Sequence, residues 1–321
     1  MENYKVTVLM PVYNAEEYLR EAIESILNQT FKNFEFLIID DGSIDNSKNI
    51  ILSYDDPRIR FISHEQNKKL IATLNEGIEM ANAPLIARMD ADDISLPDRL
   101  EKQVEFMNEN PEYVLLGSAC EIIDTYGKTT RKSSTFYDDE TLRLSLVFST
   151  SFAHGSVMFR KKTALEAGGY SVDAYLAEDC DFWIRLARFG KIANLPEYLF
   201  KYRSNPAGEC AKNKECQQEV LKKIKEEYWK SFGNQGPAPF KFWSKKWIMN
   251  NSGKNLYETM EKQIAYLHIR FAKKYMKHRK YIPAIFHLFC ALILRPKEFM
   301  CGIISKGLYF FRITNKKISN E

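Results

Sequence analysis

Three short segments in the first hundred residues carry side chains whose types and spacing suit chemistry. Pro11-Val-Tyr-Asn14, Asp40-Asp-Gly-Ser43 and Arg88-Met-Asp-Ala-Asp-Asp93 each follow an apolar run. In the third segment Asp90 and Asp92 stand at i and i+2, which on extended chain project to one side. Two carboxylates so placed make a hard-oxygen site for Mg²⁺ or Mn²⁺, with water and phosphate filling the remaining positions. An isolated D-x-D also serves as a turn or cap, but its place after an apolar strand favours the metal, and Asp93 reads as structural. Asp40 and Asp41 carry two readings. Asp-Gly-Ser is a turn signal, and a carboxylate at a strand end can accept from a nucleobase or ribose. Further along, Glu178-Asp179 opens a helical pattern, where acidic residues also act as simple caps.

The elements that must position these residues are legible as period. Val6–Met10 reads as a buried strand, and Asn14 as the N-cap of a helix with Leu19, Ala22, Ile23, Ile26 and Leu27 in register. Phe34–Ile39 is the next strand and Ser47–Tyr54 a helix. Ile59–Ser63 is a third strand, Leu70–Ala81 a helix and Leu85–Met89 a fourth strand. Pro97 opens a helix carrying Leu100, Val104 and Met107, and Val114–Gly117 is a fifth strand. This alternation predicts an α/β fold with a doubly wound, mostly parallel sheet. Ligands then bind at the carboxyl ends of strands, where the three segments fall. Beyond residue 120 the pattern gives a hairpin over Glu121–Thr130, strands at Ser156–Arg160 and Leu199–Arg203, and a helix over Asp179–Phe189. A charged helix over 214–232, a linker at Gly233–Pro239 and a helical tail with Tyr257–Lys277, Tyr281–Leu294 and Phe299–Phe311 follow.

Composition narrows the class. With 321 residues, 45% of them hydrophobic, the chain can bury one large α/β domain and an appendage. Its net charge of +4 is unevenly spread: residues 241–321 hold 17 of the 46 Lys and Arg but 4 of the 42 Asp and Glu. A basic tail on an acidic body suits an anionic lipid surface better than nucleic acid, whose phosphates the body would repel. No nucleic-acid recognition motif occurs. The first strand lacks the glycine-rich turn of a dinucleotide-binding fold, and no P-loop is present. The six cysteines show no C-x-x-C and read as free thiols of a reducing cytoplasm. Met1–Lys5 leads into a strand without a signal-peptide core. The longest apolar run, Ile282–Leu294, falls short of the roughly 20 residues that a span needs.

Taken with Ala177-Glu-Asp-Cys-Asp-Phe-Trp183, the segments Pro11-Val-Tyr-Asn14, Ile38-Ile-Asp-Asp-Gly-Ser43 and Ala87-Arg-Met-Asp-Ala-Asp-Asp93 resemble glycosyltransferase family 2, in order and spacing, over about residues 4–205. The resemblance implies a GT-A fold and inverting transfer from a nucleotide-sugar, usually with a divalent metal. It implies that Pro11 and Tyr13 line the nucleoside pocket and that Asp41 bonds the base. Asp90 faces ribose and metal, Asp92 is the principal metal ligand, and Asp179 is the catalytic base. Relatives carry a glycine where this chain has Asn67-Lys-Lys-Leu70, so donor contacts from Lys68 or Lys69 are not expected. His154 falls on the acceptor side, where a packed histidine is an equal alternative.

The resulting expectation is a GT-A domain over residues 1–210 followed by a helical, basic region over 211–321. The donor is a nucleotide-diphosphate sugar, UDP before GDP, and the acceptor a glycan or lipid-linked hydroxyl in surface polysaccharide synthesis. Mn²⁺ or Mg²⁺ is the cofactor, neutralising the leaving diphosphate. The enzyme is expected in the cytoplasm, with the tail either on the inner face of the plasma membrane or packed on protein, a homodimer partner included. The alternative is a nucleotide-sugar-binding module without catalysis. Asp179 at a helix start is expected to be held ionised and made less basic by the helix dipole.

Overall fold

The computed structural model describes residues 4–133, 135–146, 152–204 and 213–231. Strands β1 (Val6–Val12), β2 (Phe34–Asp40), β3 (Ile59–Ser63) and β4 (Leu85–Arg88) lie parallel in the order β3-β2-β1-β4. β1, β2 and β4 are almost wholly buried and apolar, as central strands covered on both faces must be. The alternation along β1 shows the two faces. Val6, Val8, Met10 and Val12 join a core with Leu19, Ile23 and Ile26 of helix α1 (Leu19–Leu27), Ile50 and Ile51 of α2 (Ser47–Leu52), and Leu100, Val104 and Met107 of α4 (Arg99–Glu109). On the other face Leu9 meets α3 (Leu70–Met80) so closely that a Cβ at Gly77 would lie 2.2 Å from its Cδ1.

Past β4 the sheet becomes mixed. A two-residue strand β5 (Ile94–Ser95) follows the acidic segment, and β6 (Tyr113–Ile123) forms a hairpin with β7 (Thr129–Lys132). Gly127 takes φ +79° at the hairpin tip, a conformation that costs glycine nothing. After α5 (Asp139–Ser145), strand β8 (Met158–Arg160) inserts antiparallel between β4 and β6. α6 (Lys161–Glu166) and α7 (Glu178–Leu186) lead to β9 (Lys191–Arg203), which runs parallel to β6 and antiparallel to β5. The full order is β3-β2-β1-β4-β8-β6-β9-β5, with β7 on β6. The mostly parallel α/β sheet expected from the sequence is present.

Helix α8 (Lys214–Ser231) docks on this body through Gln217 Nε2, which donates to the Leu176 carbonyl at 3.0 Å, and Tyr228 Oη, which donates to the Arg143 carbonyl at 3.3 Å. The linker at Gly233–Pro239, the helices of the tail and its basic patch lie outside the described residues. Among the described residues no helix is long and apolar enough to cross a membrane. Cys120 and Cys180 are buried free thiols and Cys216 an exposed one.

Two local expectations need correction. Asn14 does not cap α1. It adopts φ +48°, its N–H donates to Ser43 Oγ at 3.0 Å, and its side-chain oxygen accepts from the Ile44 N–H at 2.9 Å. The left-handed conformation that asparagine tolerates is used to pin one strand-end loop to the next, and the helix starts five residues later. β6 and β9 also run well beyond the predicted 114–117 and 199–203, because each strand supplies the other's long-range pairing, which local pattern does not encode.

Candidate active site

The register sets three loops side by side. Val12 pairs with Asp40 and Leu9 with Arg88, so β2, β1 and β4 end along one edge. The Asp41 N–H donates to the Val12 carbonyl at 2.8 Å and the Met89 N–H to the Leu9 carbonyl at 3.0 Å, which carries the sheet ladder into the loops. Tyr13, Asp41 and the Asp90–Asp93 segment therefore leave from neighbouring strands. Pro11 is half-buried, and Tyr13 is 49% exposed, presenting an aromatic face at this edge.

Asp41 is buried and its carboxylate is largely occupied. Oδ1 accepts from the Lys68 N–H at 2.8 Å and lies 2.8 Å from His64 Nδ1, while Oδ2 accepts from the Lys69 N–H at 2.9 Å. Lys69 sits at φ +77°, a conformation disfavoured for a side-chain-bearing residue and sustained by these bonds. The lysine ammonium of Lys68 turns instead to Glu76, at 2.9 Å. Asp41 thus organises the 64–69 loop through backbone amides and keeps one Oδ2 lone pair uncommitted. Asp40 points its carboxylate into its own turn, accepting from the Ser43 N–H at 3.2 Å and Ser63 Oγ at 3.3 Å.

The acidic loop divides its labour. Asp90 ion-pairs with Arg88, whose side chain is 1% exposed. Asp93 is buried, and its Oδ1 accepts from the Arg203 N–H at 2.7 Å. Burial and the two neighbouring carboxylates push Asp93 well above the ordinary carboxylate range. Asp92 is half-buried, and the hydrogen bond recorded at its carboxylate comes from its own backbone N–H. Desolvation first, and the charge of Asp90 second, raise it to about 6. A carboxylate held away from donors beside a like charge is one that a cation stabilises. Among the described residues no group of three or more Asp, Glu, His or Cys is arranged to hold an ion. Were Mn²⁺ or Mg²⁺ to bind here, Asp92 and Asp90 would be the chain's contribution, with phosphate and water completing the shell.

Gly155 is the packing counterpart of this loop. A Cβ there would lie 2.8 Å from Asp90 Oδ2, 3.0 Å from Asp93 Oδ2 and 2.6 Å from the Phe200 ring. Gly155→Val is expected to cost about 1–3 kcal/mol by overpacking and to push Asp90 out of place. Thermal unfolding together with Mn²⁺ titration checks this; unchanged values in both would contradict the close approach.

Asp179 stands in the first turn of α7, with Oδ1 accepting from the Cys180 N–H at 2.6 Å. Here the structure reverses the expected basicity. Burial outweighs both the amide bond and the positive charges of Arg88 and Lys225, and holds Asp179 above the usual carboxylate range. Arg88 is the common neighbour: its charge acts on Asp92, Asp93 and Asp179 alike. The packing between the D-x-D loop and α7 runs through residues 154–155: His154 lies edge-on to Trp183 of α7, and a Cβ at Gly155 would abut Asp90 and Asp93.

Two buried arginines at this edge, Arg88 and Arg99, escaped the sequence as individual side chains. Arg88 closes an apolar strand, where a cation has no periodic meaning. Arg99 is fully buried on α4, with Nη2 donating to the Arg88 carbonyl at 2.8 Å and Nε to Gln103 at 3.1 Å; with no carboxylate in contact, burial lowers it to about 9. His154 lies 3.0 Å from Tyr170 Oη through Nε2 and packs edge-on to Trp183, so its packed alternative describes its contacts. Burial and Arg88 hold it well below the ordinary histidine range, and therefore neutral. Trp183 is fully buried in this aromatic group.

The mixed, mostly parallel sheet thus carries its polar strand ends and the D-x-D loop along one edge. The model of glycosyl transferase family 2 matches residues 7–169, and the chain belongs to that family. It is 36% identical over 207 residues to the putative glycosyltransferase EpsE of Bacillus subtilis, covering 63% of this chain and 73% of that protein. It is 34% identical over 203 residues to the amylovoran biosynthesis glycosyltransferase AmsE of Erwinia amylovora, covering 62% and 76%. Among solved structures it resembles residues 1–349 of S. aureus TarS in complex with UDP, with TM-score 0.59, 16% identity and 91% and 92% of the two chains covered. It also resembles the mannosyltransferase PcManGT of Pyrobaculum calidifontis in complex with GDP-Man and Mn²⁺, with TM-score 0.57, 17% identity and 96% and 80% covered. At these identities the two structures establish the fold, which is that of GT-A glycosyltransferases.

Proposed function

We propose that this glycosyltransferase is an inverting, metal-dependent enzyme that moves a sugar from a nucleotide-diphosphate donor, a UDP-sugar, onto a hydroxyl of a glycan or lipid-linked acceptor in surface polysaccharide synthesis. The observation that carries the reading is the Asp92 carboxylate, bonded only by its own backbone N–H and raised to about 6 beside Asp90, itself ion-paired with buried Arg88. Residues 1–210 form the catalytic domain, and the basic region 211–321 supplies a peripheral contact with an anionic leaflet or with a second copy.

In this mechanism Pro11 and Tyr13 flank the nucleoside and the spare lone pair of Asp41 Oδ2 accepts from the base. Asp92 and Asp90 hold Mn²⁺ or Mg²⁺, which when bound neutralises charge on the departing diphosphate. Asp179 takes the proton of the acceptor hydroxyl as its oxygen attacks the anomeric carbon from the face opposite the diphosphate. The new glycosidic bond forms, the bond to the diphosphate oxygen breaks with its electron pair, and the proton stays on Asp179. A carboxylate raised by burial is a better base than an exposed one, and while it remains ionised at neutral pH it needs no activation.

Thermal-shift and hydrolysis screening of nucleotide-sugars tests this. A UDP-sugar is expected to raise the melting temperature and to be hydrolysed slowly without acceptor, both only with Mn²⁺ or Mg²⁺ and both cancelled by EDTA. Donor binding that ignores metal, or no binding of any nucleotide-sugar, would sink the proposal.

A further inference from the structure

The acidic loop is held in place by a residue outside it. Arg203 is the last residue of β9, and its side chain is 1% exposed. Its Nε donates to the Asp92 carbonyl at 2.7 Å, and Nη1 donates to the carbonyls of Asp124 at 3.2 Å and Thr125 at 3.3 Å. Nη2 ion-pairs with Glu21 of α1, and the guanidinium lies 4.3 Å from the centroid of the Tyr18 ring. The Arg203 backbone N–H donates to Asp93 Oδ1 at 2.7 Å. Four segments meet at one side chain: the D-x-D loop, the β6–β7 turn, α1 and β9.

Two features separate this from ordinary packing. The loop's own turn is weak, since the Asp93 N–H reaches the Asp90 carbonyl only at 3.5 Å. Its shape is therefore imposed from Arg203, which grips the Asp92 carbonyl and the Asp93 carboxylate. In addition, none of the Arg203 donors goes to the Asp92 carboxylate. The cation orients the peptide that carries Asp92 without occupying the oxygens that a metal needs. A guanidinium has five donors in a fixed fork and can serve all these acceptors at once, which an ammonium cannot.

We infer that Arg203 is a positioning residue for the cation and diphosphate end of the donor site, and that through Glu21 and Tyr18 it ties this end to the helix beside the nucleoside pocket. This rests on the metal-dependent reading of the site. It places a determinant of metal affinity beyond the residues of the family match, which end at 169.

The test uses the full chain and UDP as probe. Mn²⁺-dependent UDP binding is followed by calorimetry in wild type, Arg203→Lys and Glu21→Gln, with melting temperatures measured alongside. Groups supporting metal ligands from behind typically contribute 10–100-fold to metal affinity. In Arg203→Lys the Mn²⁺ concentration for half-saturation is expected to rise about tenfold or more, while UDP affinity at saturating Mn²⁺ stays near that of wild type. Glu21 is half exposed, so Glu21→Gln is expected to leave melting unchanged and to shift the Mn²⁺ requirement in the same direction by less. An unshifted Mn²⁺ requirement in both variants overturns the inference. So does a shift in Arg203→Lys that only follows lost stability while Glu21→Gln stays at wild type. If wild-type UDP binding itself ignores Mn²⁺, the parent reading fails and this one with it; if wild type depends on Mn²⁺ and the variants do not differ, only this one fails.

Discussion

Asp92→Asn is expected to lower sugar transfer by about 10²–10³-fold, the usual consequence of losing one preorganised electrostatic contribution to a transition state, and to remove the response to Mn²⁺. The same substitution is expected to make the metal-free protein more stable. Asp92 titrates at about 6 in the fold, above the ordinary carboxylate value near 4. The folded state therefore binds more protons than the unfolded chain across that window. The contribution of this group to stability is present below the unfolded value and is lost as pH rises through about 6. At pH 7.5 the desolvated Asp92 carboxylate lies beside the charge of Asp90, and asparagine removes the Asp92 charge. Melting of metal-free wild type and variant at pH 7.5 and pH 5 checks the sign: the variant should melt higher at pH 7.5, with the gap narrowing at pH 5. Mn²⁺ should raise the melting temperature of wild type alone, because only a state that binds the ion gains from it. A variant that keeps Mn²⁺-dependent transfer would remove Asp92 from the metal site.

Asp179→Asn is expected to reduce transfer by about 10²–10⁴-fold, the range over which a positioned general base contributes, while donor affinity in the presence of Mn²⁺ stays within about a factor of two. The distinction lies in what the two carboxylates touch. In the proposed mechanism Asp92 meets the donor's diphosphate, whereas Asp179, in the first turn of α7, takes the acceptor's proton. The raised basicity of Asp179 adds a pH signature: activity of wild type should fall on the acid side at a higher pH than an exposed aspartate would give. Parallel loss of donor binding and transfer in Asp179→Asn would assign it a structural role at the helix start, the capping alternative that its bond to the Cys180 N–H keeps in view.

How far the sequence reached depends on the range of the interaction. The periods of β1, β2 and β4 and of α1, α3 and α4 were readable because each burial pattern is local and repeats along a few residues. β6 and β9 were underestimated because they stabilise each other across some eighty residues of chain. Asn14 looked like a helix cap and is a loop clasp, since its partners Ser43 and Ile44 belong to another strand end. The basicity of Asp179 was assigned from the helix dipole alone, and the desolvation that outweighs it exists only once α7 is packed.

The sequence by itself determined the strand–helix alternation, the three polar strand ends, the pairing of Asp90 with Asp92, and through them the family. Only the tertiary structure decided which carboxylates are spoken for and which are exposed to a ligand. Asp93 is claimed by Arg203, 110 residues away, Asp41 by the amides of Lys68 and Lys69, and Asp90 by Arg88, while the Asp92 carboxylate has only its own backbone N–H. Identical side chains four positions apart or fewer differ here because charge is governed by burial and by distant partners, and neither is written in the spacing of residues along the chain.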